Sequence, residues 1–237
     1  MTLLALTDVT VRYPGATALA NVSLEVVASE LVIVWGPARS GRTTLLEVAA
    51  GIRRPDSGSV SFCGRPPREH LGRRGGIAVV TTAGRGLLGH EELVIDQVAY
   101  PAMRTMSRWR AHAAADDALR RCGAEELAQQ PMERLSHAER IRVLLARGLI
   151  HAPRLLLVDE PATGLSHGER ERLLALVQSL VRDGIAVMMT DDAEGAALVP
   201  GARVLTMQRG TLRGASPNPP AEVISLEDRR AEGGLAR

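Results

Sequence analysis

The sequence predicts an α/β fold in which a parallel β-sheet is wound by helices and interrupted by a helical insertion. Near the N-terminus, residues 4–13 and 22–27 alternate apolar and polar side chains, as half-buried strands do. Leu31–Trp35 is apolar throughout, which is typical of a strand buried on both faces of a parallel sheet. Farther along, strands and helices alternate, and this order requires crossover connections between parallel strands.

The predicted elements of the first half follow in order. After the buried strand come a loop at 36–42 and a helix at 43–50, which Gly51 ends. Two short strands follow, at 59–63 and at 77–80. From about residue 91 to 130 the pattern is helical, and Ser107 is a candidate N-cap. One face of this insertion is apolar and consists of Ala111, Ala114, Ala115, Ala118, Leu119 and Cys122.

Helices and strands alternate again after the insertion. Helices are predicted at 136–150 and 167–182, with strands at 155–158, 185–190 and 204–207. Prolines and a charged, glycine-containing end follow Gly214, which predicts a flexible tail over 215–237. We therefore expect one domain over 1–214, with a helical subdomain inserted at about 84–152.

Composition narrows the classes of function. The net charge is +2 and all 29 basic residues are arginines, which are scattered along the chain, so a nucleic-acid-binding arm is not expected. Cys63 and Cys122 lack metal-ligand spacing and are too few for a disulfide framework, which favours a reduced, cytosolic compartment. No signal peptide pattern opens the chain, and no apolar run approaches the ~20 residues of a membrane span. We expect any membrane role to depend on a partner.

A glycine-containing loop joins the buried strand to its helix, with the sequence Gly36-Pro37-Ala38-Arg39-Ser40-Gly41-Arg42-Thr43-Thr44. Glycines allow backbone N–H groups to curve around phosphates, a helix N-terminus favours anions, and a Ser/Thr hydroxyl can bind Mg²⁺. The spacing fits the phosphate-binding pattern G-x-x-x-x-G-K-[ST], with Arg42 in place of lysine. These residues are candidate nucleotide ligands, and Thr43 is a candidate Mg²⁺ ligand.

Two more motifs follow farther along the chain. A buried strand that ends in two carboxylates, Leu155-Leu156-Leu157-Val158-Asp159-Glu160-Pro161, resembles a Walker B motif. In such a motif Asp159 would hold Mg²⁺ through water, and Glu160 would orient the attacking water as the catalytic carboxylate. Between the loop and this strand, a helix is preceded by Leu135-Ser136-His137-Ala138-Glu139-Arg140.

In order, spacing and flanking residues, these motifs resemble those of the ATP-binding subunits of ABC transporters, whose signature is L-S-G-G-[QE]-R. The resemblance covers roughly residues 3–213. It implies a P-loop NTPase fold with an ABC-type core, a small antiparallel β subdomain and a helical subdomain. It places Tyr13 where the family stacks an aromatic ring on adenine. Glu139 and residues 160–165 are similar to the lipoprotein-release and macrolide-exporter branch.

Several positions that handle the nucleotide depart from the family pattern. Arg42 keeps the charge of lysine but has a wide planar head, although the chain contains no lysine and drift could explain the exchange. Arg39 replaces a glycine that permits unusual backbone angles. Thr82, or Thr81 before it, takes the place of a glutamine that contacts Mg²⁺. Asp191 replaces a histidine that donates to the γ-phosphate, and an ionised carboxylate would repel that group.

The signature and the segment after Walker B are altered as well. His137 and Ala138 replace the signature glycines, and Ser166 replaces an aspartate of the family's D-loop. Ser136 and Ser166 each begin an S-x-x-E capping box, so these segments are also consistent with ordinary helix starts. Drift to arginine does not explain the other losses, which together indicate relaxed selection on hydrolysis.

The resemblance implies a subunit that binds ATP and Mg²⁺ at the cytoplasmic face of the membrane. It would pair with a second ABC cassette and dock on transmembrane permease subunits, attached to the membrane through them. In the family, ATP lies between one cassette's phosphate loop and the other's signature, where Ser136, His137 and Ala138 would contact it. Because both halves are altered, we expect weak or absent hydrolysis, either in a heterodimer with a more conventional cassette or in a homodimer that binds ATP slowly.

The sequence is also consistent with other functions. The cassette could be a non-hydrolysing structural or regulatory subunit of a membrane complex, and one version has Asp191 pair with Arg39 or Arg42 in the γ-phosphate space. A soluble ATPase that acts on nucleic acid is disfavoured by the scattered arginines and the lack of a second cassette. Trp109 is predicted to be a core residue, with a transporter contact as the alternative.

Overall fold

A computed structural model describes residues 2–82, 92–191 and 199–214. The predicted tail over 215–237 and the start of the predicted helical subdomain, 84–91, lie outside these ranges. The helices in the described ranges are α1 (Arg42–Ala49), α2 (Val94–Ala99), α3 (Arg108–Arg121), α4 (His137–Leu149) and α5 (His167–Arg182). The strands are β1 (Thr2–Tyr13), β2 (Ala16–Val27), β3 (Leu31–Trp35), β4 (Ser57–Phe62), β5 (Ile77–Thr81), β6 (Leu155–Asp159), β7 (Ala186–Asp191), β8 (Ala202–Gln208) and β9 (Thr211–Gly214).

The strands form two sheets. A three-stranded antiparallel sheet has the order β2-β1-β4. A six-stranded sheet has the order β5-β6-β7-β3-β8-β9, in which neighbouring strands are parallel except for β8 and β9. The predicted α/β class with a parallel sheet is therefore confirmed, and so is the antiparallel region that the resemblance implied. Strand β9 was not predicted.

The large sheet is covered on both faces, as the apolar run in β3 predicts. Leu31 and Ile33 face a core that includes side chains of α2 to α5, whereas Val32 and Val34 face a second core. This second core is completed by α1 and the antiparallel sheet. All four side chains are buried, so the strand has no solvent face and needs no polar residues.

Helices α2, α3 and α4 lie between β5 and β6 in the chain, where a helical insertion was predicted. The apolar face of α3 is buried as expected at Ala111, Ala115, Ala118 and Leu119. The prediction that Trp109 belongs to the core is wrong, because its side chain is 78% exposed. It precedes Ala111 by two residues, which corresponds to roughly 200° around a helix, so it lies opposite the buried face.

The carboxyl ends of the parallel strands bring the motif residues to one edge of the sheet. Strand β7 lies between β6 and β3, so the segments that follow these three strands are neighbours. They hold the residue pair Asp159 and Glu160, the residue Asp191, and the loop that starts at Gly36. Ligands of open α/β sheets bind at this edge. Within the described ranges, no helix is both long and apolar enough to cross a membrane.

Candidate functional site

The loop between β3 and α1 depends on two glycines that pack closely against neighbouring backbone. A Cβ atom at Gly36 would lie 2.2 Å from the carbonyl oxygen of Met207. At Gly41, which precedes α1 with a φ of 109°, a Cβ atom would lie 2.2 Å from the carbonyl oxygen of Ala18. A larger residue at either position would displace the loop from β2 or β8, so the loop's path follows directly from the sequence.

The loop presents a side-chain hydroxyl and backbone N–H groups that could bind a phosphate group. The Ser40 hydroxyl is buried and has no hydrogen-bond partner among the described residues, so it is free to donate to a ligand. Helix α1 begins at Arg42 and directs its first backbone N–H groups toward the loop. Arg39 has a φ of 62°, in the left-handed region that favours glycine, which the family usually has at this position. Its side chain and that of Thr43 are exposed, as are Pro37 and Ala38.

The loop lines a cleft of about 320 Å³ together with the β1–β2 turn and Glu160. Tyr13 is at one end, and its hydroxyl lies 3.5 Å from Oγ1 of Thr44. The guanidinium carbon of Arg53 lies 4.6 Å from the centroid of the Tyr13 ring, which is a cation–π contact. One face of the ring is therefore covered, and an adenine stacked on Tyr13 would use the opposite face. The adenine-binding role of Tyr13 stays a prediction.

Arg42 is directed into the protein, where its side chain is only 4% exposed. Its Nη1 donates hydrogen bonds to the backbone carbonyls of Gly36 and Asp191. Its Nη2 lies 2.5 Å from Oε1 of Glu160 and forms an ion pair with it. One guanidinium thus connects the ends of β3, β7 and β6. The planar fork of arginine provides several N–H donors in fixed directions, whereas the lysine ammonium is a compact point charge.

Asp159 and Glu160 are held together by Thr190, a buried residue of β7. Its hydroxyl donates to Oδ1 of Asp159 at 2.7 Å and accepts from the backbone N–H of Glu160 at 2.9 Å. Glu160 has a φ of 47°, in the left-handed region. Thr81 of β5 lies opposite Asp159 in the sheet, and Thr82, which follows it, is exposed. The two carboxylates therefore lie at the same edge as the phosphate loop.

The carboxylate of Asp191 does not have the partner that was predicted. It is 1% exposed and forms an ion pair with Arg170 of α5, while Arg42 contacts its backbone carbonyl. The proposed pairing of this carboxylate with Arg39 or Arg42 is thus corrected. The reason is geometric, because Arg42 forms its ion pair with Glu160 and α5 brings Arg170 beside the end of β7.

The signature segment forms a capped helix start. The Ser136 hydroxyl accepts from the backbone N–H of Glu139, and the Glu139 carboxylate accepts from the backbone N–H of Ser136 at 2.8 Å. Ser166 and Glu169 form the same capping box at α5, so both predicted helix starts are confirmed. The hydrogen bond from the Ser136 hydroxyl holds the pKa of Glu139 below its ordinary value, because it stabilises the charged form.

The signature and the phosphate loop lie in different cavities of this chain. Ser136 and Ala138 line a cavity of about 490 Å³ with Cys122 and Gly123, which follow α3, and with residues of α5. His137 is tied to the segment after β6, because its Nε2 lies 2.9 Å from the carbonyl oxygen of Thr163. The phosphate-loop cleft is not lined by residues 135–140 of the same chain.

Thr190, Arg170 and Arg53 were not predicted as members of this site. Thr190 directly precedes the position where the family has histidine, and this was its one available signal. Arg170 lies one helical turn after Ser166, and Arg53 lies just beyond α1. The distance of each from the site depends on how the helices pack, which no short sequence pattern records.

The sequence and the fold of this chain are similar to those of known proteins. Residues 19–163 match the family model described as ABC transporter. The chain is 34% identical over 223 residues to the Fe(3+) ions import ATP-binding protein FbpC of Streptomyces coelicolor, covering 93% of this chain and 63% of that protein. It is 34% identical over 203 residues to the aliphatic sulfonates import ATP-binding protein SsuB of Cupriavidus necator, covering 85% of this chain and 64% of that protein. The chain thus spans less than two thirds of the length of these relatives.

Solved structures show the same fold. The ATP-binding cassette MJ0796, a dimer bound to ADP and Pi, superposes with a TM-score of 0.79 at 23% identity over 91% of this chain and 98% of that one. For cbiO1 from Clostridium perfringens, part of the transporter complex cbiONQ, the TM-score is 0.79 at 22% identity. The match covers 99% of this chain and 96% of that one. The predicted P-loop, ABC-type fold is confirmed, and since the family model matches more than half of its residues, the chain belongs to the ABC transporter family.

Proposed function

We propose that the chain is the ATP-binding subunit of an ABC transporter that couples nucleotide binding to transport through permease subunits. The phosphate loop is the observation that supports this most directly. It keeps both glycines in close backbone contact, has a Ser40 hydroxyl with no partner in the part of the chain that the structure describes, and lies at the sheet edge that holds Asp159. These features suit the α- and β-phosphates of a nucleotide.

ATP with Mg²⁺ is the proposed ligand. Residues 36–44 would surround the phosphates, and Tyr13 would contact the base. Thr43 and Asp159 would hold Mg²⁺, and Thr82, which directly follows the neighbouring strand β5, would be the nearby residue at the position of the family's glutamine. When bound, Mg²⁺ would neutralise phosphate charge. The hydrogen bond from Thr190 fixes the orientation of the Asp159 carboxylate for this role.

Hydrolysis at this site is proposed to be weak or absent. Glu160 would orient the attacking water, but its carboxylate is paired with Arg42. Asp191 takes the place of a hydrogen-bond donor and is itself paired with Arg170. Both groups closest to the γ-phosphate in the family are therefore engaged with other residues of this chain.

A second cassette and transmembrane permeases are the proposed partners. The separation of signature and phosphate loop within one chain supports a dimer, either with another copy or with a more conventional cassette. Ser136, His137 and Ala138 would then contact the partner's nucleotide. The relatives named above are import proteins for different cargoes, which supports an import role and leaves cargo choice to other subunits. The chain would lie at the cytoplasmic face of the membrane, attached through the permease.

A non-hydrolysing structural or regulatory cassette is the second candidate. The observation that favours it is the presence of two ion pairs, Arg42–Glu160 and Arg170–Asp191, in which side chains of the site are paired with each other within the chain. In this alternative the fold would support the complex, and nucleotide binding would not be required.

Nucleotide binding and turnover separate the two candidates. We expect the purified chain to bind ATP more tightly with Mg²⁺ than without it, and an Asp159→Asn variant to lose that enhancement. Turnover should be well below the ~10 s⁻¹ that is typical of enzymes. Rapid turnover would contradict the weak site. A chain that binds no nucleotide, alone or with its permease, would support the structural alternative.

A further inference from the structure

The two ion pairs of the site involve the groups that would distinguish ATP from ADP. In phosphate-loop proteins the loop's lysine reaches the β- and γ-phosphates, and the catalytic carboxylate orients water toward the γ-phosphate. In this chain the corresponding residues are Arg42 and Glu160, and they bind each other at 2.5 Å. Each neutralises the charge that the other would present to a ligand.

Moving the Arg42 side chain from its present partners to a phosphate would cost free energy. The carbonyls of Gly36 and Asp191 would lose a donor, and Glu160 would lose its counter-ion. Glu160 is 36% exposed and can be solvated once the pair is broken, so most of the free-energy cost falls on the buried guanidinium, which would lose its partners. Because Arg42 is almost fully buried, a γ-phosphate would have to offset all of these losses before it gained any attraction.

The second pair has a similar effect at the end of β7. The family has a histidine donor to the γ-phosphate there, and this chain has Asp191, whose carboxylate is an acceptor. Its negative charge is balanced by Arg170. The Asp191 side chain would therefore provide no hydrogen-bond donor to a γ-phosphate, and the charge of Arg42 is already paired with Glu160.

The groups that suit the first two phosphates are not engaged in this way. The Ser40 hydroxyl has no partner within the described residues, and the N-terminus of α1 opens onto the loop. Building on the proposed function, we propose that this site recognises a nucleotide through its α- and β-phosphates and does not discriminate between ATP and ADP. Arg42 would then act as a positioning residue for Glu160 instead of as a phosphate ligand.

The ratio of the dissociation constants for ATP and ADP tests this directly. Calorimetry on the full chain with Mg²⁺ should give values within about threefold of each other, which corresponds to well under 1.4 kcal/mol. An Arg42→Lys variant returns a compact cation and releases Glu160, so its preference for ATP should rise by roughly tenfold or more. An Arg110→Lys variant, at an exposed position of α3, is the matched control and should keep the original ratio.

The outcomes are distinguishable. ATP binding more than about tenfold tighter than ADP binding in the unmodified chain would overturn the proposal while leaving the proposed function intact. An Arg42→Lys variant that is folded and binds with an unchanged ratio would overturn the assigned role of Arg42. If that variant fails to fold, the ratio in the unmodified chain still decides. A chain that binds neither nucleotide would contradict the proposed function, and this proposal with it.

Discussion

Among the single residues of the site, Thr190 has the most specific role. Its hydroxyl is the donor to Asp159 and the acceptor for the backbone N–H of Glu160. Glu160 has a left-handed backbone conformation, which costs a non-glycine residue roughly 1–2 kcal/mol. The bond to Thr190 helps to hold that conformation, so one buried hydroxyl positions both carboxylate residues.

Replacement of Thr190 by valine tests this role. Valine has nearly the same shape and suits a strand, but it leaves the backbone N–H of Glu160 without its acceptor. We expect the free energy of unfolding, measured with urea, to fall by about 1–3 kcal/mol. Thr190→Ser keeps the hydroxyl and is the control, with a smaller loss. A valine variant as stable as the original chain would show that the hydroxyl has no positioning role.

The residues of the phosphate loop show what the sequence could and could not predict. The family's glycine at the position of Arg39 permits unusual backbone angles, and the sequence alone left open whether arginine adopts one; its φ is 62°. The direction of Arg42 could not be predicted, because its acceptors lie at the ends of three strands. Those strands are far apart in the sequence and become neighbours only in the folded sheet. No local sequence pattern predicts the strand order β6-β7-β3.

Among the elements, hydrophobic periodicity predicted strands and helices well. The predicted bounds of Leu31–Trp35 and of α5 agree with the structure, because a solid apolar run and a capping box are strong local signals. Strand β9 was missed because it is four residues long and has no buried side chain. The prediction for Trp109 was wrong because this residue lies roughly 200° around α3 from Ala111, away from the buried face.

Helix α3 provides a stability test of that phase. Trp109→Ala should change the free energy of unfolding by less than about 0.5 kcal/mol, because the ring lies in solvent. Leu119→Ala, on the buried face of the same helix, should cost about 2–5 kcal/mol. Chemical denaturation monitored by circular dichroism measures both. Similar losses for the two variants would mean that Trp109 packs against the protein in solution.

In the whole molecule, the sheet and the helical insertion share one apolar core. Ile33 of β3, Val158 of β6 and Leu119 of α3 belong to the same buried cluster, and Cys122 at the end of α3 is part of it. Because these side chains are in one packed interior, we expect the insertion to unfold together with the sheet. The other cysteine, Cys63, is exposed just after β4.

Thiol reactivity measures whether the insertion opens separately. Burial raises the pKa of Cys122 to about 12, so at pH 8 it is protonated as well as inaccessible. The thiolate is the reactive form, so Ellman's reagent at pH 8 should modify Cys63 quickly and Cys122 only when the chain unfolds. A Cys63→Ser variant should lose the fast phase. Cys122 could instead react at denaturant concentrations that leave the sheet folded. This result would show that the insertion opens independently and that the shared core does not make the two parts unfold together.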